Sequence, residues 1–155
     1  TRKESSAASD VYKRQEYEGV KDIRVVDAVQ YVADEVLPIM PGLPKVASAA
    51  LHPTCSSTRM DWNDSLQRCA EAVADEVVVA DAWRCCGFAG DGGMLHPELT
   101  KSATRREATE LAEREFDLYL SANRTCELGM ERATGKPWRH ALSVLAERMV
   151  EYAPA

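Results

Sequence analysis

The sequence predicts an α/β domain with a parallel sheet of at least three strands and crossover helices. Two observations carry this reading. Short apolar runs bounded by turn residues alternate with segments whose apolar residues recur at helical spacing. The chain also has the size and make-up of one globular domain: 155 residues, 45% hydrophobic and 28% charged.

Each element has its own signal. Residues 22–37 place Ile23, Val26, Val29, Val32, Ala33, Val36 and Leu37 on one stripe of a helix, and Pro38 marks its end. Pro41, Gly42 and Pro44 form a linker. Val46–Leu51 is a short apolar run after a turn, the first expected strand. Residues 61–74 carry Trp62, Leu66, Cys69, Ala70 and Val73 on one helical face. Residues 76–81 contain three consecutive valines, the clearest strand signal. Gly87, Gly90, Gly92 and Gly93 make a glycine-rich loop, and Pro97 suits the first turn of the following helix, which carries Ala108, Leu111, Ala112 and Phe116. A third strand is expected at 117–122, a short helix at 125–133 and a last helix at 138–152.

Residues 1–15 differ from the rest. They are polar and lack an apolar period, and residues 5–15 resemble the in-frame translation of a transposase-type sequencing-library adapter. They are expected to be a non-native tail, with Val11 and Tyr12 outside any core, which makes 16–155 the C-terminal fragment of a larger chain. The formal net charge is −6, and an acidic chain lacks the basic stripe that displaces counterions from a duplex, so no nucleic-acid partner is expected. No apolar run is long enough for a transmembrane segment, and no secretory signal is present, so the expected location is cytoplasmic, including the cytoplasmic face of a membrane as a peripheral protein. Five cysteines, an odd number, fit reduced thiols or metal ligands better than a disulfide framework.

Parallel strands end on one side, and ligands bind in the crevice beyond their carboxyl ends. Cys55, the pair Cys85 and Cys86, and Cys126 each follow an expected strand by a few residues, so three loops should bring four thiols to one rim. Thiolates suit zinc and iron–sulfur clusters. Neighbouring cysteines chelate one small tetrahedral ion with strain, whereas a cluster spreads its coordination over several irons. The glycines from Gly87 onward leave backbone N–H groups free to approach cluster sulfides. Another metal, a redox role and simple packing of small residues stay open for these four. Cys69 lies on an apolar helix stripe and reads as core. His52 and His96 each precede a proline and read first as turn or helix-start residues, with ligation or proton transfer as the alternative. Arg84 is placed either to stabilise a neighbouring thiolate or to cap a strand end in solvent. The loop from Gly87 to Met94 lacks the spacing of a phosphate cradle. Trp62, Trp83 and Trp138 read as core or interface packing.

The segments His52-Pro53-Thr54-Cys55, Cys85-Cys86-Gly87-Phe88-Ala89-Gly90 and Ser121-Ala122-Asn123-Arg124-Thr125-Cys126-Glu127 together resemble the cysteine-rich CCG domain. That domain occurs in the heterodisulfide reductase B subunit, the glycolate oxidase iron–sulfur subunit and FAD-linked D-lactate dehydrogenases that fuse flavin and iron–sulfur parts. The wording is most similar to the last group. The resemblance implies an iron–sulfur cluster, of the 4Fe–4S type, held by Cys55, Cys85, Cys86 and Cys126, with Gly87 and Asn123 beside it. It also implies FAD and ferredoxin-like domains upstream, a quinone or cytochrome acceptor, and oxidation of a 2-hydroxy acid, foremost D-lactate, by the whole enzyme. No catalytic residue is expected in this part of it. The family's terminal motif is Cys-x-x-Cys, and here Asn123 stands where the first cysteine belongs. That departure leaves two alternatives: a metal-free structural or oligomerisation module, and a thiol–disulfide centre on Cys85 and Cys86.

Overall fold

In the computed structural model, which describes residues 25–40 and 42–151, the chain opens with an irregular helical segment. Its first turn, α1 (Ala28–Tyr31), is capped by Asp27, whose Oδ1 accepts from the Val29 N–H at 2.8 Å. A π turn, Val32–Val36, and a 3₁₀ turn, Leu37–Ile39, continue it. The helix expected at 22–37 is therefore corrected over its described part. Pro38 falls inside the 3₁₀ turn, because the first turn of a helix does not need the missing N–H. Residues 22–24 and the tail expectation at 1–15, with Val11 and Tyr12, lie outside the described residues.

The order continues β1 (Val46–Leu51), α2 (Cys55–Arg59), α3 (Asn63–Glu71), β2 (Ala74–Val78), α4 (Gly92–Leu95), α5 (Pro97–Leu111), β3 (Leu118–Ser121), α6 (Arg124–Thr134), β4 (Trp138–His140) and α7 (Ala141–Glu151). Four strands form one sheet in the order β2-β1-β3-β4, and every neighbouring pair is parallel. The fold is thus the expected α/β parallel sheet, with one strand more than the three the sequence displays.

Alternation along β1 divides the core. Ala49 and Leu51 face one side with Val29, Ala33, Leu66, Cys69, Val144 and Leu145, which come from α1, its π turn, α3 and α7. Ala50 faces the other with Leu111, Tyr119, Met130 and Trp138, beneath α5 and α6. Helices thus cover both faces, the arrangement a parallel sheet requires. A third, smaller cluster of Cys86, Phe88 and Cys126 sits beyond the strand ends.

Several boundaries move. The helix expected at 61–74 is Asn63–Glu71, because Ala74 already pairs in β2, and Phe116 lies beyond the end of α5 at Leu111. The strand expected at 76–81 is Ala74–Val78, paired from Val46↔Ala74 to Ala50↔Val78. Beyond it, the backbone N–H groups of Asp81 and Ala82 donate to the Glu110 carboxylate at 2.7 and 2.8 Å, which draws the chain off the sheet towards α5. The helix expected at 138–152 starts at Ala141, because residues 138–140 pair with β3 and bury Trp138 against Tyr119 at 5.5 Å between ring centroids. Among the described residues no helix is long and apolar enough to cross a membrane.

Candidate metal centre

β1 runs directly into His52, whose N–H extends the ladder to Leu120 O at 2.8 Å and whose own carbonyl accepts from Ser121 Oγ at 2.9 Å. The ring is therefore fixed at the carboxyl end of the two central strands. Trp83 and Trp138 lie against it, with centroids 6.3 and 6.2 Å away, and His52 is fully buried. On its far side Nδ1 meets Glu107 Oε1 at 2.8 Å, and Glu107 is itself buried.

The thiols arrive from three connections. Cys55 opens α2, and Thr54 caps that helix through a reciprocal box: Ser57 N–H donates to Thr54 Oγ1 at 3.0 Å, and Thr54 N–H donates to Ser57 Oγ at 2.9 Å. Cys85 and Cys86 lie on the loop between β2 and α4, the first exposed and the second buried. Gly87 follows at φ +67°, and a Cβ there would sit 2.9 Å from the Ala103 Cβ. Glycine thus turns the loop back and lets it close onto α5. Cys126 lies in the first turn of α6. Asn123, the expected neighbour of the cluster, is an exposed helix cap: its Oδ1 accepts from the Thr125 N–H at 3.0 Å and the Thr125 hydroxyl at 2.7 Å.

All five cysteines are free thiols. The Sγ atoms of Cys86 and Cys126 are 3.1 Å apart and share a thiol hydrogen bond. One ring nitrogen of His52 and these two sulfurs all lie within 4.8 Å of one another. Cys55 and Cys85 lie near enough to act electrostatically on one another and on Cys126, so the four thiols occupy one end of the sheet.

Their acidities are interdependent. Cys86 is held down at about 5 by the hydrogen bond from Cys126, against the opposing effect of burial, with help from His52 and the Phe88 N–H. Cys55 is pushed up to about 12 by burial and by Cys85, and Cys126 is raised strongly by the neighbouring Cys86 and by burial. Burial disfavours a charged His52, but Cys86 and Glu107 outweigh it and hold its pKa at about 9. One thiolate thus forms readily, and it makes the next harder to form. A bound cation removes that conflict, because metal binding draws protons off its thiol ligands.

The donor set fits an iron–sulfur group: thiols from three connections, two of them buried and in contact, and an imidazole nitrogen, His52 Nε2, buried with no hydrogen-bond partner among the described residues. The parallel α/β frame with thiols beyond its strand ends defines a cysteine-rich domain with a candidate metal centre. The family model CCG, cysteine-rich domain, matches residues 49–131, more than half of the chain, and the chain belongs to that family. CCG domains are found in oxidoreductase-type proteins, and this one, with its Cys/His group, fits an iron–sulfur electron-transfer role. Neither the curated proteins nor the solved structures contain a match to the chain.

Cys69 stands apart. It is buried in the core under α1, its Sγ 3.8 Å from Val29 O, and burial pushes its pKa up to about 11. Cys69→Ala is expected to leave iron content unchanged and to cost about 1 kcal/mol in a denaturant titration. His96 is exposed at the start of α5, 3.2 Å from Glu98, as a helix-start residue. Arg84 is exposed and donates to the Trp83 carbonyl at 2.6 Å. Sequence reasoning weighted His52 towards a turn and missed Glu107. The available signal for Glu107 was its place on the stripe Thr100, Thr104, Glu107, Leu111, all of which are buried.

Proposed function

We propose that this chain is the iron–sulfur electron-transfer domain of an FAD-dependent 2-hydroxyacid dehydrogenase that oxidises D-lactate in the cytoplasm. The observation that carries the proposal is the gathering of Cys55, Cys85, Cys86 and Cys126 at one sheet end, from connections far apart in sequence. When bound, the cluster supplies one-electron transfer between the flavin and an acceptor, a quinone or a cytochrome. The chain's own residues hold it: the four thiols as ligands, the loop at Gly87 to bring the Cys85–Cys86 pair onto α5, and the Phe88 N–H to donate to the Cys86 sulfur. FAD and ferredoxin-like domains belong to the upstream part of the enzyme in this reading.

The test is expression of the longer reading frame upstream of Glu16. The expected product carries FAD, and D-lactate bleaches the iron–sulfur absorbance of the anaerobic enzyme. A longer frame without a flavin site, or a cluster indifferent to 2-hydroxy acids, would remove the dehydrogenase assignment. A thiol–disulfide centre is the second reading, now on Cys86 and Cys126 in place of the Cys85–Cys86 pair, and the 3.1 Å approach of those two sulfurs favours it. It expects two thiols fewer per chain after mild oxidation and no iron requirement.

A further inference from the structure

The His52–Glu107 pair asks for a reason. Burying a carboxylate and an imidazole together is costly unless their polar atoms are satisfied. Nδ1 and Oε1 satisfy each other at 2.8 Å, yet His52 Nε2 and Glu107 Oε2 have no hydrogen-bond partner among the described residues. An orphaned buried nitrogen in a well-packed site points to a group that the protein atoms do not supply. The orphan belongs to a side chain clustered with two thiol sulfurs within 4.8 Å. In the neutral ring, an Nδ1–H that donates to the Glu107 carboxylate leaves the lone pair on Nε2, so a metal ion there takes the place of a proton; this arrangement is typical of metal-ligating histidines, and the carboxylate partner orients the ring. Trp83 and Trp138 pack against the ring, with centroids 6.3 and 6.2 Å away, and the Glu107 hydrogen bond selects its orientation.

We propose that His52 ligates the metal centre through Nε2 beside Cys86 and Cys126, with Glu107 as its positioning residue. This rests on the iron–sulfur reading for the identity of the metal and not for the ligand geometry. It accounts for the departure at position 123: where a cysteine ligand is absent, Asn123 turns outward to cap α6, and an imidazole from the end of β1 completes the donor set. Replacing a thiolate by a neutral imidazole also makes the centre less negative, which raises its reduction potential relative to an all-cysteine site.

The experiment uses the whole chain, reconstituted anaerobically with ferrous iron and sulfide. Electron–nuclear double resonance on the reduced wild type should show a strongly coupled nitrogen, which needs no variant to fold. His52→Ala should lose that coupling. His52→Cys should lose it, keep the iron and lower the potential. Glu107→Gln should keep the coupling and weaken metal retention by roughly 10–100-fold, the usual effect of an outer partner. A wild-type cluster without nitrogen coupling, or a His52→Ala spectrum identical to it, would overturn the assignment. Should no labile sulfide be retained at all, the electron-transfer reading fails, and zinc decides the ligand assignment separately. Zinc held by sulfur and nitrogen donors and lost in His52→Ala supports His52, whereas no zinc binding, or binding indifferent to His52, refutes it.

Discussion

Cys86→Ser should abolish iron retention while leaving the fold intact. Cys86 is the hub of the site: it contacts Cys126 at 3.1 Å, faces His52, and accepts from the Phe88 N–H. It is also the thiol most easily ionised, held at about 5, and the thiolate is the form that binds metal. Serine keeps the volume within one atom but supplies a hydroxyl that stays protonated. Iron and sulfide per chain should fall to background after gel filtration, with far-ultraviolet circular dichroism unchanged. The same substitution at Cys69 serves as the internal comparison, since that thiol lies in a different core. Equal iron in Cys86→Ser and wild type would mean that the buried thiol pair is packing alone.

The second large effect is on stability. Phe88→Ala should destabilise the domain by about 3–5 kcal/mol, the range for truncating a buried aromatic. Phe88 is fully buried, and the loop is built around it: a Cβ on Gly93 would fall 2.6 Å from its Cγ, and Arg132 lies 5.5 Å over its ring. α4, α6 and the cysteine loop thus meet on one side chain. Such a loss is a large part of the stability of any single domain and lowers Tm by about 10 °C. Gly93→Ala attacks the same contact from the other side, where an added methyl group has no room and costs about 1–3 kcal/mol. Metal retention should weaken in both variants, because Cys86 and Cys126 belong to the Phe88 cluster. A Phe88→Ala protein that melts within a degree or two of wild type would contradict this packing.

The sequence displays the frame of the molecule more clearly than its edges. β1 shows its bounds because a proline-rich linker precedes it and His52-Pro53 follows. β2 begins earlier than its valines suggest because it is an edge strand, so the exposed Asp75 and Glu76 are tolerated within it. β4 is three residues long, too short to express a period, and exists because β3 offers a free edge. α2 has no apolar stripe; its capping box makes the helix.

The site divides in the same way. Strand-then-cysteine spacing is a local pattern, so the convergence of four thiols can be read from topology. The Cys86–Cys126 contact and the His52–Glu107 pair join residues 40 and 55 positions apart, and tertiary packing alone brings each pair together. His52 reads as a turn residue because the proline after it is the stronger local signal. Only the fold reveals that its backbone extends the sheet and its ring points inward.

The most direct test of the central claim is the iron and acid-labile sulfide content of the wild-type chain, purified and reconstituted under strict anaerobiosis. A brown protein is expected, which retains iron and sulfide in equal amounts through gel filtration and loses its visible absorbance on reduction by dithionite. A colourless, folded protein that keeps neither iron nor sulfide would contradict it, and the cysteines at the end of the sheet would then be packing residues or a thiol couple.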